Sequence, residues 1–125
     1  LLDAPCSATG TFRRHPEVLY RARPGVIAEN AALQARLLAR AAEWVKPGGT
    51  LVYAVCSLEP REGEEVIASF VDSRPEWGVL APEPGELPEF APRDAGGQVR
   101  ILPGTLEAQG GCDGFFIARL VRSPA

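Results

Sequence analysis

The sequence predicts an α/β fold in which helices cover a largely parallel sheet. Two observations carry this prediction: residues 1–4 and 50–56 are apolar runs typical of buried strands, and a helical pattern separates them. Strands joined by a helix form a βαβ unit and lie side by side. Each strand runs into a Cys-Ser pair, Cys6-Ser7 or Cys56-Ser57. We therefore expect two thiols to face one pocket at the carboxyl edge of the sheet.

A long loop and a helix follow the first strand. Pro5 ends that strand because it cannot donate a ladder hydrogen bond, and residues 7–25 predict a loop with at most a short helical turn. Loops longer than ~12 residues are uncommon in compact domains unless they bind something. A helix is then predicted from Val26 to Lys46, with this apolar face: Leu33, Leu37, Ala41, Trp44 and Val45.

The second half of the chain begins with the strand at 50–56, which follows the helix-ending turn Pro47-Gly48-Gly49. Pro60 and the acidic residues after it open a second helix. That helix should end before Pro75. Further extended segments are predicted at residues 77–80, 99–102 and 115–121, with a proline-rich surface loop over residues 78–98.

The composition is that of one globular domain. The chain has 125 residues, 46% of them hydrophobic and 23% charged, which excludes a disordered or fibrous protein. No apolar run approaches the ~20 residues that cross a bilayer, and no signal-peptide pattern is present, so we expect a cytoplasmic protein without a membrane partner. The sequence has no Met, and residue 1 already lies in a strand, which indicates a fragment whose preceding part is missing.

The three cysteines, Cys6, Cys56 and Cys112, have neither a compact disulfide pattern nor a zinc-ligand spacing, so reduced thiols and no metal are expected. Cys56 precedes a helix N-terminus that would lower its pKa, and Asp3 places a carboxylate near Cys6. An acid and two thiols at one sheet edge are typical of a functional site. The alternatives are buried structural cysteines and a redox dithiol, although no Cys-x-x-Cys motif is present.

Charge is distributed unevenly along the chain. The net charge is −3, but residues 11–25 hold four arginines against the single acid Glu17: Arg13, Arg14, Arg21 and Arg23. Any polyanion would meet this loop first. The alternative is a solvated loop with scattered arginines. His15, the only histidine, lies in the same loop, and nothing in the sequence orients it as a base for Cys6.

Five segments of the chain form a recognisable set of motifs: Asp-Ala-Pro-Cys-Ser-Ala-Thr-Gly at 3–10, Arg-Arg-His-Pro at 13–16, Gly-Gly-Thr-Leu-Val-Tyr-Ala-Val-Cys-Ser at 48–57, Glu-Pro at 59–60 and Asp-Gly-Phe-Phe-Ile-Ala at 113–118. These motifs resemble those of the RNA cytosine-5 methyltransferases, in particular the bacterial Sun/Fmu type that acts on 16S ribosomal RNA. The resemblance covers nearly the whole chain except the proline-rich segment.

This resemblance implies a Rossmann-like, class I methyltransferase fold, with a mostly parallel sheet and a final antiparallel strand. S-adenosylmethionine would be the cofactor and RNA, expected to be 16S ribosomal RNA, the substrate. Residues 1–125 would form the carboxyl-terminal half of the catalytic domain, without the glycine-rich cofactor loop of the front half. A fragment of this kind is expected to be inactive alone.

The resemblance also implies roles for individual residues. Cys56 matches the nucleophile that attacks carbon-6 of the target cytosine, and Cys6 matches the cysteine that assists breakdown of the covalent adduct. Asp3 matches an acid between cofactor and base, and Val55 stands where Thr is usual. The arginines of the loop would hold RNA phosphates, an inference from charge alone. Two other functions are considered: a non-catalytic RNA-binding relative, and a thiol-disulfide protein that uses Cys6 and Cys56.

Overall fold

The computed structural model describes residues 1–125 and contains five strands and three α-helices. In chain order these elements are β1 (Leu2–Asp3), α1 (Val18–Arg21), α2 (Pro24–Glu43), β2 (Thr50–Val55), α3 (Glu64–Ser73), β3 (Trp77–Val79), β4 (Val99–Ile101) and β5 (Phe115–Arg122). Three 3₁₀ turns connect them, at Thr9–Thr11, Pro60–Glu62 and Glu107–Gln109.

The strands form one mixed sheet in the order β1-β2-β5-β3, with β4 also paired to β5. β1 runs parallel to β2, with Leu2 opposite Tyr53, as the βαβ prediction requires. β5 is antiparallel to β2 and also to β3 and β4, which pair with its two ends. The predicted α/β class is therefore present, and the final strand is antiparallel to each of its three partners.

The core lies between one face of this sheet and the helices α2 and α3. Side chains alternate along a strand, so every second residue of β2 and of β5 points into this core. Tyr53 and Phe116 pack edge to face with ring centroids 6.3 Å apart, and Phe70 packs in the same way on Trp77 at 5.6 Å. The largest fully buried apolar side chains are Leu38, Tyr53, Val55, Ile67, Phe116 and Leu120.

Helix α2 differs from its prediction in both its ends and its buried face. It begins at Pro24, in the first turn where proline is tolerated, and it ends at Glu43, so Trp44 lies beyond the helix and is 75% exposed. Its buried residues are Ile27, Gln34, Leu38 and Ala42. Of the predicted stripe, Ala41 and Val45 pack partly buried against the core. The buried face is thus shifted from the predicted one, because counting apolar residues alone passes over Gln34, a buried amide.

The second predicted helix is interrupted near its start. A 3₁₀ turn covers Pro60–Glu62, Gly63 leaves the helical region, and α3 proper begins at Glu64. A Cβ on Gly63 would lie 2.8 Å from the Phe116 ring, so only glycine allows this close approach. The break turns the Glu62 side chain inward, where it is completely buried.

None of the helices is both long enough and apolar enough to span a bilayer.

Candidate active site

The structure brings the two predicted thiols together at the carboxyl edge of the sheet. Cys6 and Cys56 follow the parallel strands β1 and β2, and their Sγ atoms lie 3.7 Å apart. Both side chains are half-buried, and neither forms a disulfide. A sulfur-to-sulfur distance of this size permits an S–H to sulfur hydrogen bond.

This contact makes the two thiols chemically unequal. The hydrogen bond from Cys6 is the largest cause that lowers the pKa of Cys56 to about 7, against the opposing effects of burial and of the charges on Asp3 and Asp113. The same hydrogen bond, followed by burial, strongly raises the pKa of Cys6. Near neutral pH, about half of Cys56 is therefore the thiolate, the nucleophilic form, and Cys6 remains a thiol that donates to it.

Asp3 lies beside the thiols at the end of β1, where it pairs in register with Ala54 of β2. Its side chain is exposed and makes no hydrogen bond or ion pair within the chain. Its charge is one of the causes that oppose the lowered pKa of Cys56. The carboxylate is thus close to the reactive sulfur and available to a ligand.

A buried carboxylate that sequence reasoning missed lies beneath the two thiols. The Ser7 backbone N–H donates to Glu62 Oε2 at 2.9 Å, and the Ser7 hydroxyl donates to Glu62 Oε1. The Ser57 hydroxyl donates to the same Oε1 at 2.7 Å. Glu62 therefore binds the residue that follows each of the two cysteines.

Gln34 connects this cluster to helix α2. Its Nε2 donates to Glu62 Oε2 at 3.1 Å and to the Pro5 carbonyl oxygen at 2.8 Å, immediately before Cys6. Tyr53 adds a contact from β2, because its hydroxyl donates to the Glu62 backbone carbonyl at 2.7 Å. The only sequence signal for this cluster was the repeated Cys-Ser pair, whereas Glu62 was interpreted as part of an acidic helix start.

Backbone contacts hold the loops that surround the site. The Gly10 N–H donates to the Cys56 carbonyl at 2.9 Å, and the Gly114 N–H donates to the Gly10 carbonyl at 2.7 Å. A Cβ on Gly10 would lie 2.2 Å from the Gly114 oxygen, closer than any real contact. Glycine at position 10 is therefore required where the three segments meet.

The four arginines of the loop fall into two groups. The Asp113 carboxylate forms ion pairs with Arg13, at 3.3 Å, and with Arg14, which donates to it through two nitrogens. The hydrogen bonds from Arg14 hold the pKa of Asp113 below its usual range. Arg21 and Arg23 are exposed and form no ion pair in the structure. The first pair thus closes the loop onto the 110–114 segment, and the second pair is available to a ligand.

The other two candidate groups lie apart from this site. His15 Nδ1 is 3.6 Å from Glu17 Oε1, and both side chains are about half exposed. Cys112 contacts the carbonyl oxygens of Leu102 and Thr105. Neither group contacts Cys6 or Cys56.

Comparisons with known proteins point to a single family. A family model described as "16S rRNA methyltransferase RsmB/F" matches residues 1–121. The ribosomal RNA small subunit methyltransferase B of Thermus thermophilus is 47% identical over 122 residues, which cover 98% of this chain and 28% of that protein.

Solved structures agree with this match. The crystal structure of PH0851 superposes with a TM-score of 0.80 at 36% identity, over 95% of this chain and 25% of that one. NSun6 from Pyrococcus horikoshii, crystallised with SFG, superposes with a TM-score of 0.76 at 24% identity, over 99% of this chain and 29% of that one. At this level of identity the match supports the fold alone. The chain spans about a quarter of the length of the curated relatives it matches, 28% and 25% for two of them.

Proposed function

Because this chain belongs to the 16S rRNA methyltransferase RsmB/F family, we propose that it forms the carboxyl-terminal part of a catalytic domain that methylates carbon-5 of a cytosine in ribosomal RNA. The observation that carries the proposal is the pair of thiols, 3.7 Å apart, in which the pKa of Cys56 is lowered to about 7. A thiolate at neutral pH is the group this chemistry needs.

Cys56 is the proposed nucleophile. Carbon-5 of cytosine is a poor nucleophile, so a covalent bond between Sγ and carbon-6 replaces one difficult step by two easier ones. The electron pair that this bond displaces makes carbon-5 reactive toward a methyl group. The target base has to leave its stack to reach the sulfur.

Cys6 is the proposed base for release of the product. The pKa of Cys6 is raised mainly by its contact with Cys56, with further contributions from burial and from the charge on Glu62. Once Cys56 is bonded to cytosine, it no longer carries the charge that Cys6 stabilises, so Cys6 becomes easier to deprotonate. It can then take the carbon-5 proton, and the electrons left behind reform the double bond as the bond to Cys56 breaks.

S-adenosylmethionine is the proposed methyl donor, and when bound it supplies an electrophilic methyl group. Of the residues in this chain, Asp3 fits a place in that site. Its carboxylate is exposed at the end of β1, has no partner within the chain and lies beside the thiols, so it can accept hydrogen bonds from donors on the cofactor or the base.

RNA is the proposed partner of the arginine loop. Arg21 and Arg23 are exposed and unpaired, and Arg13 and Arg14 keep partly exposed guanidinium groups beside Asp113. Guanidinium groups bind phosphate oxygens and position the nucleic acid without reading its sequence. These four arginines would therefore hold the RNA backbone near the thiols.

Substitution of each cysteine in the intact protein tests the proposal. Cys56→Ala should abolish methyl transfer to RNA. Cys6→Ala should form the adduct more slowly, because the pKa of Cys56 rises, but it lacks the base that releases the product, so a covalent protein–RNA complex accumulates in denaturing gels. Cys112→Ala is the matched control, and it should behave as the unmodified protein does. Near-normal methylation by Cys56→Ala would show that the nucleophile is assigned wrongly.

The 3.7 Å separation of the sulfurs also suits a thiol-disulfide protein, which is the second candidate. This function needs a bond between Cys6 and Cys56 that forms and breaks reversibly. Mass spectrometry after mild oxidation with oxidised glutathione distinguishes the two. A reversible Cys6–Cys56 disulfide in a protein that transfers no methyl group would favour the redox function.

A further inference from the structure

We propose that Glu62 is a positioning residue, whose buried carboxylate holds the Cys6 and Cys56 loops at the separation that their thiol contact requires. The catalytic consequence of this proposal rests on the proposed function, but the geometry and its test do not. Glu62 touches neither sulfur through a hydrogen bond, and it acts through the serines next to them.

The sheet alone does not set the distance between the sulfurs. The last ladder hydrogen bond between β1 and β2 joins the Ala4 N–H to the Ala54 carbonyl at 3.0 Å. Cys6 and Cys56 each lie two residues further on, where the strands have ended and no ladder hydrogen bond joins the two segments. A contact beyond the strand ends is needed to hold the sulfurs at 3.7 Å.

The Gly10 N–H bond to the Cys56 carbonyl joins the two loops four residues beyond Cys6. Glu62 joins them directly beside both cysteines by accepting from both loops. Its Oε1 receives the Ser7 and Ser57 hydroxyls, and its Oε2 receives the Ser7 N–H and Gln34 Nε2. Two oxygens with about four lone-pair sites thus meet four donors. The two hydroxyl oxygens lie 3.4 Å apart on the shared oxygen. The next residue upstream of each serine is one of the two cysteines.

Space-filling alone does not explain a carboxylate at position 62. Glu62 is 0% exposed, and no cation forms an ion pair with it. A buried carboxylate costs desolvation free energy that hydrogen bonds must offset, and an apolar side chain of similar volume avoids that cost. The carboxylate is thus explained by the two loops that it joins.

The test is the pH profile of thiol alkylation in the intact protein. Glu62→Gln keeps the size of the side chain but replaces one acceptor oxygen by an NH₂ group, which cannot accept from Ser7 or Ser57. Iodoacetamide alkylation of each cysteine is followed by mass spectrometry between pH 5 and 10. Cys112 is an internal control, and Glu65→Gln, the same change at an exposed position three residues along, is the matched variant.

We expect the midpoint of the Cys56 profile to rise in Glu62→Gln from about 7 toward the ordinary value of 9.0, because the hydrogen bond from Cys6 is lost. At pH 7 this change lowers the thiolate fraction from about one half to about one hundredth, so alkylation slows by up to ~50-fold. Removal of a nearby negative charge by itself favours thiolates and so does not produce an upward shift of the Cys56 midpoint. Glu65→Gln and Cys112 should show no change.

An unchanged or downward-shifted Cys56 profile in folded Glu62→Gln would overturn the proposal. If Glu62→Gln does not fold, Ser7→Ala and Ser57→Ala each remove one hydroxyl hydrogen bond to Glu62. Each variant should raise the midpoint of the Cys56 profile. Unchanged Cys56 profiles in both variants would equally overturn the proposal. Alkylation requires no RNA, so this result is independent of the proposed function, which is tested separately by RNA methylation with the unmodified protein and with Cys56→Ala. When it does, Glu62→Gln should lower kcat more than it changes KM.

Discussion

The substitution Gly10→Ala places a single methyl group at the point where three segments around the thiols meet. Its carbon would lie 2.2 Å from the Gly114 carbonyl oxygen and 2.9 Å from the Cys56 carbonyl oxygen. Both obstructing atoms belong to the backbone, so no side chain can rotate away. The backbone has to move in at least one of the three segments, those of Gly10, Cys56 and Gly114.

The cost follows from the contacts that this movement breaks. Overpacking a filled site costs ~1–3 kcal/mol. The hydrogen bonds from Gly10 to Cys56, at 2.9 Å, and from Gly114 to Gly10, at 2.7 Å, would weaken as well, and each contributes ~0.5–1.5 kcal/mol. We therefore expect a loss of about 3 kcal/mol or more in the free energy of unfolding. With an m-value of about 2 kcal/mol per molar, the urea midpoint falls by about 1.5 M.

Urea unfolding of the intact protein measures this loss, and Gly25→Ala is the matched control. Gly25 lies in the first turn of α2, and a Cβ there meets nothing within 4 Å. Alanine should therefore stabilise the helix by about 0.5–1 kcal/mol and raise the midpoint slightly. We therefore expect the urea midpoint to fall for Gly10→Ala and to rise slightly for Gly25→Ala. An equal midpoint for Gly10→Ala and the unmodified protein would refute the close approach on which this reasoning depends.

Two further predictions concern the thiols and the arginine loop. Cys6→Ala removes the main cause of the lowered Cys56 pKa, so that pKa should rise from about 7 to 9 or above, since burial still opposes ionisation. Thiolate absorbance near 240 nm measures the titration. A midpoint still at 7 would contradict the assignment of the Cys6 hydrogen bond as the cause. Arg21→Ala with Arg23→Ala should weaken RNA binding and reduce its salt slope by about 2. Arg40→Ala, an exposed change on α2 and outside the arginine loop, should leave that slope unaltered. An unaltered slope in the double variant would remove both residues from the RNA interface.

Much of the scaffold could be predicted from local patterns. The apolar run at 50–56 and the helical period before it led to a βαβ unit, and that unit correctly predicted that Cys6 and Cys56 would meet. Strand adjacency follows from a short chiral connection, so it needs no knowledge of individual side-chain contacts. The motifs added the family, which the comparisons confirm. The catalytic roles of the cysteines and the RNA contacts of the arginines stay predictions.

Side-chain partners far apart in the sequence could not be predicted in this way. An acid after Pro60 matches a helix start, and nothing local shows that Glu62 turns inward to meet Ser7, a residue 55 positions away. Arg14 likewise looks available in the sequence, yet it binds Asp113, 99 positions along the chain. Gln34 lies on the buried face of α2, although amides are usually exposed, and an apolar pattern does not include it.

Taken alone, the sequence determined the order of strands and helices, the juxtaposition of the two Cys-Ser pairs and the family, because periodicity, turn residues and short motifs are local properties of the chain. Only the tertiary structure showed that a hydrogen bond from Cys6 is the main cause that lowers the pKa of Cys56, and that one carboxylate at Glu62 joins both loops. The physical reason is distance. A pKa and a hydrogen bond depend on separations of a few ångströms between atoms that the chain brings together only when it packs.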